Sequence, residues 1–242
     1  MPVSNREVLP ADIAIAYHER TKHHFNRYAR SLGYLDWVNQ PNPFRRFEGA
    51  PQIRLPLPVE DTPVPYEHIY FPLCIPAREL NLSSLSEFFY YSLAISAWKS
   101  YQGNSWALRV NPSSGNLHPT EGYLICGAVD PISKSGGVYH YQPEDHALEK
   151  RTEFPPAVWN QLIGSSPPGS FLVALSSIHW REAWKYGERA YRYCQHDVGH
   201  AVACLRISAG LMGWNLKVLN HLPDGIIARL MGLDRVTDFF IE

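Results

Sequence analysis

"RVNPSSGNLHPTEGYLI", Arg109 to Ile125, sets prolines, small polar residues and a glycine directly before an apolar, strand-like tail. Pro112 and Pro119 stiffen the two ends of the loop, because a proline ring locks φ and removes an amide donor. Gly115 permits a backbone conformation that other residues resist. Ser113, Ser114 and Asn116 place short polar side chains beside exposed backbone amides. Such an edge suits a flat heteroaromatic ring, which needs several fixed donors and no bulky side chain in its plane. On composition alone the same stretch also reads as an ordinary connection between strands.

The surroundings of this loop read as alternating helices and strands. Asp12 to Arg30 has helical apolar spacing without Gly or Pro. Residues 41 to 76 then hold nine prolines, a density that no helix or central strand survives. The large apolar side chains between them, among them Phe44, Phe47, Ile53, Leu55 and Tyr66, mark an extended arm lying on a surface, since linkers are poor in such groups. Asn81, with Ser83 and Ser84 as rivals for the role, caps a helix expected to run to about Trp98. "GYLICGAV" (122–129) and "SFLVALSSI" (170–178) read as strands, with a hairpin between them from "GGVYHYQ" and "HALEKR". Ala157 to Ile163 is a short helix. The longest helix fills much of Glu188 to Met212, with Cys194, Val198, Ala201, Val202, Leu205, Ser208, Ala209 and Met212 on one stripe, closed by Gly213. "WNLKVLN" is expected as a strand, Asp224 to Leu230 as a short helix and "VTDFFIE" as a last strand. Mixed elements without strict alternation make the class α+β with a mixed central sheet.

Composition narrows the function classes. The chain has 242 residues, 45% of them hydrophobic and 19% charged, the profile of a folded domain with a real core. Its net charge of −1 supplies no general field for nucleic acid or an anionic membrane. Four widely spaced cysteines form no C-x-x-C and no disulfide framework. No run of 18 uncharged apolar residues occurs and no signal-length apolar stretch begins the sequence, so the reading is cytoplasmic. No Walker A, G-x-G-x-x-G or G-x-S-x-G is present. "HDVGH" puts His196 and His200 on one helical face, the spacing of a zinc hydrolase, but with Asp in the place of the usual Glu and no evident third ligand. Structural or interface histidines are the alternative. "HWREAWKYGERAYRY" (179–193) interleaves basic and aromatic residues; the acidic Glu182 and Glu188 among them favour a solvated or subunit-facing helix surface over a single-strand binder.

Taken together, "NPSSGNLHPTEGYLI" resembles the flavin-facing loop of the nitroreductase superfamily, P-S-x-x-N-x-[QH]-P. "YRYCQHDVGHAVACLRISAGLMGWNLKVLNHLPDGIIARLMGLD" is similar to that family's long central helix and the segments after it. "YHERTKHH…W…QPNPFRRFEG…IRLPLP" looks like the N-terminal arm of the SagB/ThcOx-type azoline dehydrogenase branch. The resemblance runs from about Tyr17 to Asp234. It implies a nitroreductase-like fold, a helix and Pro-rich arm over 1–76 and a core domain over 77–242. It also implies FMN at a dimer interface and ping-pong hydride transfer, with NAD(P)H as a possible donor and a small molecule or modified peptide as substrate. Pro112, Ser113, Ser114, Gly115, Asn116 and His118 would border the flavin ring, with Arg109 close by. Val218, Leu219, Asn220 and His221 match the segment that faces flavin N5. His118 and His221 are the nearest acid or base candidates by position, and each reads equally as a satisfied polar neighbour.

Two departures stand out. The family's R-R-S-x-R-type phosphate grip is replaced by "VPYEHIYFPLCIPARELN" with a lone Arg78, and an Arg pair is what recognises phosphate bidentately. The family's usual C-terminal basic residues are not matched either, where the sequence reads "DRVTDFFIE". The resemblance therefore implies a half-length form that homodimerises or pairs with a second nitroreductase-like half. The remaining alternative is a flavin-free partner-binding module.

Overall fold

A computed structural model describes residues 9–59, 63–71 and 74–235. In chain order the elements are α1 (Pro10–Thr21), β1 (Gln52–Arg54), α2 (Leu82–Leu93), β2 (Ile95–Tyr101), β3 (Asn104–Arg109), β4 (Thr120–Val129), β5 (Ser133–Gln142) and β6 (Ala147–Glu153). They continue with α3 (Pro156–Ile163), β7 (Leu172–Ser177), α4 (His179–Tyr186), α5 (Ala190–Leu211) and α6 (Asp224–Met231).

Side-chain alternation along β4, β5 and β6 sorts the core into two layers. Leu124, Cys126, Tyr139, Tyr141 and Leu148 face one side, where α2 and α5 supply Leu85, Phe88, Phe89, Ala201 and Leu205, and Met212 follows at the end of α5. Tyr123, Ile125 and Val138 face the other, under Phe47 of the arm and Met231 of α6, with Trp159 of α3 beside them. The five strands run in the order β1-β6-β5-β4-β7, and every pairing among the described residues is antiparallel. The molecule is thus α+β, a central sheet flanked by helices. Among the described residues no helix is long and apolar enough to cross a membrane.

Three elements differ from expectation for local reasons. The first helix stops at Thr21, whose hydroxyl donates back to the Tyr17 carbonyl at 2.8 Å and competes with the helix ladder. The second keeps its Asn81–Ser84 capping box but leaves the helix at Ala94. Ile95 to Arg109 then turns back on itself as the hairpin β2–β3, because Gln102 and Gly103 both adopt positive φ, at 47° and 82°, as a two-residue hairpin turn requires. Residues 214–219 run without strand pairing. Trp214 anchors them instead, donating from Nε1 to the Arg78 carbonyl at 2.8 Å and packing on Phe88 and Phe171. The strand expected over 236–242 lies outside the described residues.

The long helix is as the spacing predicts, with Cys194, Ala201, Leu205, Ser208, Ala209 and Met212 buried. Gly213 ends it at φ 67°, and a Cβ there would stand 2.7 Å from the Ile75 carbonyl oxygen, so only glycine lets the arm pass this close. The arm lies on the domain itself. β1 pairs with β6, the Leu55 amide donates to the His146 carbonyl at 2.9 Å, and Arg46 forks onto Glu144 and Asp145 at 2.7 Å each.

A buried chain of charge crosses the sheet. Arg181 meets Glu121 at 2.6 Å; His140 lies between Glu121 and Glu149 at 2.8 Å on each side. Burial alone would raise the Glu121 carboxyl, but the His140 hydrogen bond and the Arg181 charge outweigh it and hold it at about 2. A carboxyl depressed in the fold adds stability above its ordinary 4.5, and that stability is lost as pH falls towards about 2. Urea unfolding should therefore weaken steeply over this acid range. Glu121→Gln should flatten that slope and, at pH 7, destabilise the fold by about 3–5 kcal/mol, because the buried Arg181 loses its carboxylate. An unchanged midpoint would show that the chain is not ionic.

Candidate functional site

The loop between β3 and β4 is held in a conformation it would not adopt alone. Gly115, Asn116 and His118 have φ of 66°, 59° and 48°, and left-handed backbone is uncommon outside glycine. Contacts from every side fix it. The Ser114 amide donates to Asp197 Oδ1 at 3.1 Å, and the Ser114 hydroxyl to the same oxygen at 3.3 Å. The His118 amide donates to Ser113 Oγ at 2.8 Å, and the Asn116 amide to the Ser113 carbonyl at 3.1 Å. Asn116 Nδ2 donates to the Ala107 carbonyl at 2.9 Å, while its Oδ1 meets His118 Nε2 at 2.9 Å. Arg181 holds the His118 carbonyl at 2.7 Å, and His200 Nδ1 donates to the Pro112 carbonyl at 3.1 Å.

The expected site residues therefore fall into three places. Pro112, Ser113, Ser114, Gly115 and Asn116 form one half-exposed ledge, with His118 tucked behind it. Burial, then the Arg109 charge, lowers the His118 imidazole to about 3, so it is neutral and serves the loop rather than carrying charge. Arg109 is buried under the ledge and donates to the Pro43 carbonyl at 2.5 Å; burial lowers its guanidinium to about 10. Val218, Leu219, Asn220 and His221 lie on the exposed stretch before α6, and among the described residues no hydrogen bond joins them to the loop.

Two side chains that the sequence reading placed on a solvated surface stand over Gly115. A Cβ on Gly115 would lie 2.8 Å from Tyr186 Oη and 3.0 Å from Lys185 Nζ. The bare backbone is what admits both. The only sequence signal was the run "WKYGERAYRY" itself, whose helical spacing concealed which residues turn inward. Arg181 and Glu182 in the same run are buried, not solvated. Glu182 has both carboxyl oxygens buried without a hydrogen-bond partner among the described residues, and burial followed by the charge of Asp197 pushes it up to about 8. Asp197 is buried as well, and burial raises its carboxyl against the hydrogen bonds of the loop serines.

At the place of the missing phosphate grip, Arg78 is committed to a carboxylate. Its two terminal nitrogens meet Glu87 at 2.5 and 2.7 Å. The ledge, of short polar side chains and bare backbone at Gly115 with Lys185 and Tyr186 above it, fits the edge of a flat ring, and among the described residues Arg78 is not free to supply the phosphate end. The zinc alternative gains nothing. His200 already serves Pro112, His196 packs edge-on to Tyr193, and no cluster of three or more metal-binding side chains occurs among the described residues.

No protein-family model matches the chain. A crystal structure of a protein provisionally assigned as a nitroreductase, from Anabaena variabilis, superposes with a TM-score of 0.62 at 30% identity, over 81% of this chain and 38% of that one. The trifolitoxin-processing protein TfxB of Rhizobium leguminosarum bv. trifolii is 29% identical over 134 residues, which are 51% of this chain and 35% of TfxB. The E. coli microcin synthetase McbBCD complex with truncated pro-MccB17 bound gives a TM-score of 0.55 at 18% identity, over 93% of this chain and 87% of that one, a likeness of fold. The chain spans little more than a third of the length of the first two. With the clamped P-S-S-G-N loop and the long helix beneath it, the chain has a nitroreductase-like fold and is similar to nitroreductases and to a trifolitoxin-processing protein.

Proposed function

We propose that the chain supplies the ring-facing part of an FMN site in an oxidoreductase of the azoline dehydrogenase type, acting on a modified peptide. The observation that carries this reading is the over-determined left-handed loop, bare at Gly115, with Lys185 Nζ and Tyr186 Oη against it. The likeness to a trifolitoxin-processing protein and to a microcin synthetase complex with a peptide bound supports a peptide substrate over a free nitro compound. Pro112 to Asn116 would border the ring, and bound flavin would take up the hydride lost by the azoline in a ping-pong cycle, an external acceptor re-oxidising it. Lys185 and Tyr186 are placed to hold or move the proton that accompanies hydride loss from a substrate lying on the ledge. Burial and Glu182 raise the Tyr186 phenol, so it stays a proton donor at neutral pH. Since Arg78 offers a single fork beside the Glu87 carboxylate, the rest of the phosphate grip would come from a second copy or a second nitroreductase-like half.

The commitment of Arg78 also favours a second reading, a flavin-free partner-binding module. FMN titration separates the two. Uptake of FMN by the chain, alone or with the completing half, supports the enzyme; a colourless protein that takes up none under either condition overturns it. In the FMN-binding form, Asn116→Ala should weaken retention roughly 5- to 150-fold, the equivalent of about 1–3 kcal/mol, because the ledge loses its ties to Ala107 and His118. Unchanged affinity would remove the loop from the site. Lys185→Ala and Tyr186→Phe should each lower oxidation of an azoline-bearing peptide by roughly 10²–10⁴-fold with FMN affinity kept. Equal turnover would dismiss them as proton carriers.

A further inference from the structure

Glu182 is a group in this region that neither the fold nor the proposed chemistry explains. It is wholly buried, and neither of its carboxyl oxygens has a hydrogen-bond partner among the described residues. An ionised carboxylate left in this state costs several kcal/mol, so a group so placed is neutral or waits for a cation. It sits where α4 packs on α5. From α5 it faces Asp197 and Cys194; on its own helix it is close to Lys185 and Tyr186. Asp197 is itself fixed by the Ser114 amide and hydroxyl, with His200 at 3.8 Å from its Oδ1. Lys185 has no salt bridge among the described residues, and its ammonium stands beside Gly115, 5.7 Å from the Tyr186 ring centre.

We propose that Glu182 is a positioning residue for Lys185: protonated, it leaves the ammonium at the Gly115 edge, and ionised, it draws the ammonium inward into a buried ion pair. The proton balance is simple. Glu182 gives one proton to solvent on ionising, and Lys185 keeps its own. The Asp197 charge, anchored by the loop serines, holds the pair to one proton, since two adjacent buried carboxyls do not both ionise readily. The elevated carboxyl places the change near pH 8, with Lys185 free below it and withdrawn above it. The inference rests on the proposed site only for its consequence, an alkaline limit on turnover; the movement of Lys185 is readable without FMN or substrate.

The test is the pH dependence of acylation of Lys185, followed by peptide mass spectrometry in the full chain. The reactivity of an ordinary lysine rises roughly tenfold per pH unit below its pKa of about 10.4. For Lys185 the rise should flatten as pH passes about 8, because the amine becomes paired and enclosed. In Glu182→Gln, a neutral isostere of the protonated acid, the ordinary slope should return, and the infrared carbonyl band of a protonated carboxyl should disappear at pH 7. An ordinary slope in the wild-type protein, or an infrared band that Glu182→Gln leaves in place, overturns the proposal. Should Glu182→Gln fail to fold, the wild-type slope alone decides. FMN uptake that is normal while the slope is ordinary would sink this inference and leave the site reading standing.

Discussion

The guanidinium of Arg181 donates to the His118 carbonyl at 2.7 Å and to Glu121 at 2.6 Å, and the rest of the site hangs from these two bonds. Through His118 the arginine fixes the end of the strained loop; through Glu121 it enters the sheet where β4 begins. From there His140 carries the contact to Glu149, which accepts from the Phe47 amide at 3.3 Å and from Gln52 at 3.2 Å. Loop, helix, three strands and arm thus share one row of buried ionisable groups. Such a row adds little net stability over an apolar core of equal volume, but breaking it is costly. Its value is in position. A charge that has only one place to be satisfied fixes the backbone around it to within a hydrogen-bond length.

That constraint accounts for the strain in the loop. Left-handed φ at Asn116 and His118 costs of order 1–3 kcal/mol each and persists only where surroundings over-determine it. Asp197, His200, Arg181 and the Ala107 carbonyl are four anchors from three elements. None could hold the loop by itself. Together they turn a flexible Ser-Ser-Gly-Asn run into a ledge whose shape is independent of what lies on it, so binding there need not meet the cost of ordering the loop.

Much of this was legible in the residues. Alternation in β4 to β6 and the long apolar stripe of α5 follow from burial on one face, so a pattern of single residues is enough to find them. The loop itself was legible through Pro112, Gly115 and Pro119. What was not legible depends on partners far apart in sequence. Lys185 and Tyr186 sit in a run whose basic and aromatic spacing suits a solvated helix, and only the packing of α4 against α5 turns Glu182 inward and brings those two to Gly115. The hairpin β2–β3 was missed for the opposite reason. Ile95 to Trp98 is apolar enough to continue α2, and the turn that takes it away, Gln102–Gly103, has a less usual first residue than Asn-Gly.

The two ends of the proposed flavin site differ in kind. The ring end is rigid and built from buried bonds, while Arg78 and Glu87 form a half-exposed pair. A pair of that sort is worth only about 0–1 kcal/mol, so an incoming phosphate would displace Glu87 at little cost. The obstacle is stoichiometric. One guanidinium presents one bidentate fork, whereas a terminal phosphate carries about two charges and three oxygens, and Glu87 would remain nearby as a repelling carboxylate. Discrimination for the phosphate therefore has to come from groups beyond Arg78. On the proposed reading, a site divided in this way would keep its geometry where the ring must not move and draw its charge from across an interface, so that cofactor retention would depend on pairing while the shape of the ledge would not.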